Sequence, residues 1–211
     1  MSKSHLPPLP RRVETDRLVL RRYEQADAET WYDAALRNQN HLSIFERGNV
    51  MMTLTDPQRT LEVIDEIGQA WDNGQYWFIG LFDREGGDWA GQLYVSPTNR
   101  DLPEFTIGYV ADVDHEGRGL ISEAVRAELE VLFTTMRAHR VVSDCNEYND
   151  RSWRLLERCG FTREGHLREN RRNPDGTVHG DYLYGLLRSE WVAGRPADHR
   201  PADGRPADRS V

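Results

Sequence analysis

The chain has 211 residues, enough for one sizeable domain, with 38% apolar and 29% charged residues and 6 Trp, 8 Tyr and 6 Phe to fill a core. That balance excludes a wholly disordered polypeptide. A formal net charge of −8 without a basic stripe excludes nucleic acid as the main ligand, and the longest apolar run, Tyr76 to Phe82, is far short of the ~20 residues of a membrane span.

The first ten residues carry Pro7, Pro8 and Pro10 and read as an irregular leader. They lack the apolar stretch of a secretory signal, so the expectation is a cytoplasmic protein with reduced thiols at Cys145 and Cys159. Residues 11–192 then alternate between strand and helix periods. Arg17 to Arg21 predicts a strand, and Ala26 to Arg37 and Pro57 to Trp71 predict helices. The second helix has Thr55 or Asp56 as N-cap, with Pro57 in its first turn. Strands follow at Tyr76 to Phe82, Trp89 to Val95 and Glu104 to Val110, the first two joined by a hairpin-like Arg84-Glu85-Gly86-Gly87-Asp88.

Leu120 to Met136 is the strongest helix, with Ile121, Val125, Leu129, Leu132 and Met136 on one stripe. A strand at Arg140 to Cys145, a helix at Asp150 to Arg158 closed by Gly160, and strands at Phe161 to Arg168 and Val178 to Leu187 complete the domain. This order predicts an α+β fold with a mixed, mostly antiparallel sheet flanked by helices. Residues 193–211 repeat Arg-Pro-Ala-Asp three times with almost nothing apolar to bury, which predicts a disordered tail.

Two segments carry chemistry, each running from a strand into a helix. In Tyr109 to Leu120, Gly117 and Gly119 permit a turn that exposes successive backbone N–H groups at a helix N-terminus, an arrangement suited to a pyrophosphate. The same glycines also suit an ordinary glycine-capped loop, and Ser122 stands where a dinucleotide fingerprint needs its third glycine. In Cys145 to Ser152, Asn149 is placed to cap the following helix, with Ser152 at its third position. The cysteines lack C-x-x-C spacing and the histidines are scattered, so no metal is expected.

Together these segments resemble the GNAT superfamily of acyl-CoA-dependent N-acyltransferases, in particular its RimJ/RimL branch, which acetylates N-termini of ribosomal proteins. Thr15-Asp16-Arg17-Leu18-Val19-Leu20-Arg21 is similar to the branch's opening T-x-R-L-x-L-R strand. Ile107-Gly108-Tyr109 followed by His115 to Ala124 is similar to its central motif. Asn149 to Ser152, Glu157 to Phe161 and Glu164 to Arg168 follow its N-x-x-S, E-x-x-G-F and E-G-x-L-R signatures.

The resemblance implies a GNAT fold whose two central strands splay, with acetyl-CoA in the wedge as donor. The partners it implies are an amine acceptor and no nucleic acid or membrane, for a monomer or homodimer. Backbone groups of Val110, Ala111 and Asp112 would pair with the pantetheine arm, and an N–H near Val110 would polarise the thioester carbonyl. The amides of Glu116, Gly117, Arg118, Gly119, Leu120 and Ile121 would bind the pyrophosphate, with the Glu116 carboxylate turned aside. Asn149 would hydrogen-bond the cofactor, and Ser152 would approach its sulfur.

The tyrosine that serves as acid in many members is Leu156 here. Thr106 replaces a glutamate often found before Ile-Gly-Tyr, so Glu104, on the same strand face, is the expected base. A further carboxylate position of the branch holds Arg171, with Glu169 nearby. A small-molecule amine acyltransferase and a catalytically silent acyl-CoA-binding module remain alternatives at this point.

Overall fold

The computed structural model describes residues 6–46, 48–173 and 176–193. Among the described residues, five α-helices and eight strands occur in the order β1 (Arg12–Glu14), β2 (Leu18–Arg22), α1 (Ala28–Phe45), α2 (Pro57–Asp72), β3 (Trp77–Asp83), β4 (Trp89–Asn99), β5 (Glu104–Ala111), α3 (Leu120–Thr134), β6 (Arg140–Asn146), α4 (Asp150–Arg158), β7 (Thr162–Arg172), β8 (Val178–Leu187) and α5 (Arg188–Ala193). The strands form one sheet ordered β1-β2-β3-β4-β5-β6-β8-β7. Every neighbouring pair is antiparallel except β5–β6.

Strand alternation sorts the apolar residues onto two faces. On β2, Leu18 and Leu20 join one core cluster and Val19 the other; on β5, Phe105 and Ile107 lie opposite Val110 in the same way. The first cluster packs under α3 and α4 through Leu120, Val125, Leu129, Leu155 and Leu156. The second packs under α1 and α2 through Trp31, Ala34, Leu42, Val63 and Ile67. All five residues of the expected α3 stripe are buried.

The expected elements occur in the expected order; besides shifts of two to four residues at the ends of α3, β4 and β7, four differences stand out. β1 is short and polar, and forms by pairing Arg12 to Glu14 with Arg21 to Val19. α5 extends the chain past β8 and ends at Ala193; the expected disordered tail otherwise lies outside the described residues. Leu9, within the expected leader, is 4% exposed and belongs to the core. Finally, α1 continues eight residues beyond Arg37, to Phe45.

That extension runs through Asn38-Gln39-Asn40-His41, which carries no apolar stripe. Tertiary bonds hold it, together with the buried Leu42 one turn on. The Asn38 side chain donates to Asp112 at 2.9 Å and accepts from the Val113 N–H at 2.9 Å. Asp56 proves to be the α2 N-cap, accepting from the Arg59 N–H at 2.8 Å.

Candidate active site

The sheet divides in its middle. β5 and β6 pair only at Glu104↔Arg140, Phe105↔Val141 and Thr106↔Val142. Beyond that point β5 follows β4 as far as Ala111, whereas β6 follows β8 as far as Asn146. The Ser143 hydroxyl donates to the Ile107 carbonyl at 2.8 Å and closes the crotch of the fork.

Alternation along β5 decides which main-chain groups face the opening. The Asp112 N–H donates to the Ala90 carbonyl at 3.1 Å, toward β4. Val110, two residues earlier, therefore also directs its N–H and C=O toward β4, where it pairs with Gln92. The groups turned into the fork belong to Ile107, Tyr109 and Ala111. Of the three residues expected to present backbone to a ligand, Ala111 keeps that orientation, while Val110 and Asp112 do not.

The Asp112 side chain has another task. Fully buried, it accepts from Arg37 at 3.0 and 2.7 Å and from Asn38, and lies 3.1 Å from His115 Nδ1. Burial alone would raise its pKa, but the hydrogen bonds from Arg37, Asn38 and His115 prevail and hold it below the usual carboxylate range. It ties α1 to the end of β5.

At the mouth of the fork the chain turns through Gly117 and Gly119, with φ of 74° and 75°, the left-handed region that glycine enters without steric cost. Gly119 is the α3 N-cap, so the N–H groups of Leu120, Ile121 and Ser122 have no partner within the helix. Arg17 braces this turn, donating to the Arg118 carbonyl at 2.9 Å and to Glu123 at 2.7 Å, while Thr15 donates to Glu123 at 2.6 Å. The opening Thr-x-Arg thus supports the glycine turn as well as entering β2. The Glu116 carboxylate is engaged by Arg151 of α4 and lies 4.0 Å from His41 of α1.

Across the fork, the Asn149 side chain caps α4 by accepting from the Ser152 N–H at 3.2 Å. The Tyr109 hydroxyl donates to the Ser152 carbonyl at 3.0 Å and lies 2.9 Å from Ser152 Oγ. Tyr109 is a residue the sequence motifs did not single out as a participant. Its burial pushes its pKa well above the ordinary phenol value, so it is a neutral donor at physiological pH. Cys145 is buried nearby, its thiol pushed up to about 11 by burial, against which the hydrogen bond with Ser152 acts.

Glu104 is not brought to this place. It lies where β5 and β6 are still paired, five residues or about 17 Å of strand from Tyr109. Its carboxylate binds Thr98 Oγ1 at 2.7 Å and Arg140 at 3.0 Å. The residue expected as base is thus held in an ion pair with Arg140, away from Tyr109 and Ser152.

A cleft of about 360 Å³ opens on the opposite face of the fork, beneath the C-terminus of α1, with Glu46, Asn49, Tyr76, Phe78, Gln92, Tyr94 and Tyr109 on its walls. Tyr76, Phe78 and Tyr94 form one aromatic wall, with centroids 5.0 to 6.2 Å apart. Glu46 is exposed as a residue but sits in this concavity. Its carboxyl is pushed up to about 7, first by loss of hydration and then by the Asp144 and Asp181 carboxylates, with Arg171 acting in the opposite direction. Arg171 itself bridges Asp144 at 2.9 Å and Asp181 at 2.6 Å.

Residues 17–162 match the family described as acetyltransferase (GNAT) domain. The chain belongs to this family. It is 29% identical over 196 residues to the [ribosomal protein uS5]-alanine N-acetyltransferase of Escherichia coli K12, covering 92% of this chain and 98% of that protein. The crystal structure of a ribosomal-protein-S5-alanine acetyltransferase from Vibrio fischeri superposes with a TM-score of 0.76 at 19% identity, over 88% of this chain and 99% of that one. A RimL ribosomal L7/L12 α-N-protein acetyltransferase in complex with coenzyme A superposes at 0.73 with 19% identity, over 87% and 98%.

The protein is accordingly a GNAT acetyltransferase of RimJ/RimL-like type with the expected mixed, mostly antiparallel sheet. Among the described residues, no helix is long and apolar enough to cross a membrane.

Proposed function

We propose that this enzyme transfers the acetyl group of acetyl-CoA to the α-amine of a protein N-terminus, in the cytoplasm, by direct attack within a ternary complex. The observation that carries this reading is the β5–β6 fork, with the Gly117–Gly119 turn at one end and the acid-bearing cleft at the other. The amides of the Glu116 to Ile121 turn would receive the diphosphate, and α3's N-terminus would favour its charge. The main-chain groups of Tyr109 and Ala111 would pair with the pantetheine arm, and one of their N–H groups would polarise the thioester carbonyl. Asn149 acts by holding α4's first turn, which keeps Ser152 against Tyr109.

Holding donor and acceptor together supplies much of the rate in such a scheme. As the C–S bond breaks, the hydroxyl pair of Ser152 and Tyr109 provides the proton for the sulfur, Tyr109 occupying the chemical role that Leu156 cannot fill. The choice of acceptor follows from proton affinity. At pH 7.5, freeing the amine of a lysine with a pKa of ~10.4 costs about 4 kcal/mol, whereas an α-amine near ~7.8 costs under about 0.5. A cleft whose carboxyl is pushed up to about 7 is matched to the second task. The named activities of the relatives, on ribosomal-protein N-termini, support the same acceptor class.

The test is coenzyme A release from acetyl-CoA against peptides starting with Ala or Ser and against a set of small amines including polyamines. Peptide acetylation at the N-terminal nitrogen, located by mass spectrometry, is the expected outcome. Turnover with small amines alone would replace this reading with a small-molecule acetyltransferase. Coenzyme A binding without turnover on any acceptor would indicate a silent binding module.

A further inference from the structure

The reaction needs a group that takes the proton of the incoming ammonium, and neither Glu104 nor the position held by Arg171 supplies it. We propose that Glu46, at the C-terminal end of α1, is the general base of the transfer and receives its proton from an acceptor ammonium lodged against the Tyr76, Phe78 and Tyr94 wall. This rests on the acetyltransfer reading above and names a catalytic residue within it.

Three observations converge on Glu46. Among the described residues that line the cleft, it carries the one carboxylate, and it shares that cleft with Tyr109, whose hydroxyl contacts Ser152. Glu46 and the Ser152–Tyr109 pair would therefore act from the two faces of β5, with Tyr109 common to both. Second, its helix is fixed where it must be: Arg37 and Asn38 lock α1 onto Asp112 at the end of β5, and the Glu46 N–H closes α1 on the Leu42 carbonyl. Third, the charged groups that act on it from the neighbouring strands are Asp144 on β6, Arg171 on β7 and Asp181 on β8, with Tyr109 on β5.

Two carboxylates against one guanidinium leave a negative surround that draws in an ammonium and raises the basicity of Glu46. The partial negative charge of the α1 C-terminus acts in the same direction. The aromatic faces offer the ammonium a cation–π surface while it waits.

The protons balance. Glu46 takes one from the ammonium and delivers it to solvent. The neutral nitrogen then attacks the thioester carbon and forms the C–N bond. As the C–S bond breaks, the Ser152–Tyr109 pair protonates the sulfur, and the second proton of the adduct nitrogen restores that pair. The sum is amide, thiol and one proton released.

The experiment compares wild type, Glu46→Gln, Glu46→Ala and Glu104→Gln as full chains, with an Ala-starting peptide and acetyl-CoA. Glu46→Gln is expected to lower kcat/KM for the peptide by ~10²–10⁴-fold, with the coenzyme A Kd by calorimetry unchanged within about twofold. Glu104→Gln is expected to retain wild-type turnover. Corrected for the amine's own ionisation, the wild-type kcat/KM should fall on the acid side with a group at about 7, and that limb should vanish in Glu46→Gln.

Added formate should restore part of the Glu46→Ala activity and have no effect on wild type, a response that a merely structural role would not give. Glu46→Gln turning over at more than a third of the wild-type rate, or an acid limb that survives in it, would overturn the assignment while leaving acetyltransfer standing. A wild-type chain that binds no coenzyme A would remove both together.

Discussion

The two ends of the fork are built from different materials. At the Gly117–Gly119 end the groups on offer are backbone amides, brought together by two glycines, one residue apart, whose positive φ angles shape one turn. At the Glu46 end they are side chains drawn from the end of α1, from β3, β4 and β5, and from the loop that follows α1. The first surface has the geometry of the chain itself and is suited to a ligand that never changes. The second is a matter of which side chains stand around it, and it can be altered residue by residue without redrawing the fold. A family that keeps its donor and changes its acceptors is served by such a division.

The largest effect should come from the residue that joins the two ends. Asp112 holds α1, which carries Glu46, against the loop that leads to the glycine turn. Asp112→Asn removes the buried charge that Arg37 and Asn38 hydrogen-bond and should cost about 2 kcal/mol or more of folding stability, measured by urea unfolding. Because the folded-state pKa of Asp112 is depressed, its contribution is fully present above the unfolded carboxylate range. It is lost as pH falls through the lower folded value. The variant should therefore be less sensitive to acid than wild type, and an unchanged acid limb of stability would show that Asp112 does not couple the ends.

A smaller effect, confined to the donor end, is expected of Gly119→Val. A β-branched residue at φ 75° costs at least about 1–2 kcal/mol, and relaxation of the turn would misdirect the α3 N-terminal amides. Coenzyme A affinity should fall roughly tenfold or more, for about 1.4 kcal/mol or more. Equal affinity would show that the diphosphate is held elsewhere. By contrast, Tyr109→Phe removes one hydroxyl between the ends. Its hydrogen bonds to Ser152 are neutral, each worth about 1 kcal/mol, so kcat should drop roughly five- to tenfold with coenzyme A affinity retained. A loss of affinity with kcat intact would make Tyr109 a packing residue.

The same division explains what could be read before the fold was known. Gly117, Gly119, Asn149 and Ser152 were legible because their chemistry is local: a turn feeding a helix, and a cap three residues from the amide it accepts. Glu46 was not, because it follows an α1 extension whose first four residues, Asn38 to His41, are all polar and are held through Asn38 and Asp112, 74 residues apart in sequence. The distance of Glu104 from Tyr109 was hidden for the complementary reason. Its position on the correct strand face was readable, but the point where β5 leaves β6 is set by tertiary pairing. Likewise the resemblance implies a strand segment, Val110 to Asp112, but not its alternation, which the hydrogen bond from Asp112 to Ala90 fixes so that Ala111 faces the fork.

The smallest expected effect tests the order of chemical events. Cys145 lies on β6 in hydrogen-bond contact with Ser152, so a route through an acyl-cysteine is the competing order of events. Its thiol, however, is buried and pushed up to about 11, so at neutral pH only about one in 10⁴ is the nucleophilic thiolate. No cationic neighbour outweighs that burial; the nearby Asp144 and Asp181 oppose ionisation further, and Arg163 acts only as a lesser counterweight. On the proposed scheme of direct attack by the amine, Cys145→Ala should therefore keep kcat within about twofold. If the variant instead binds coenzyme A normally and releases none, the acetyl group must rest on the protein, and the two ends of the fork work in sequence rather than together.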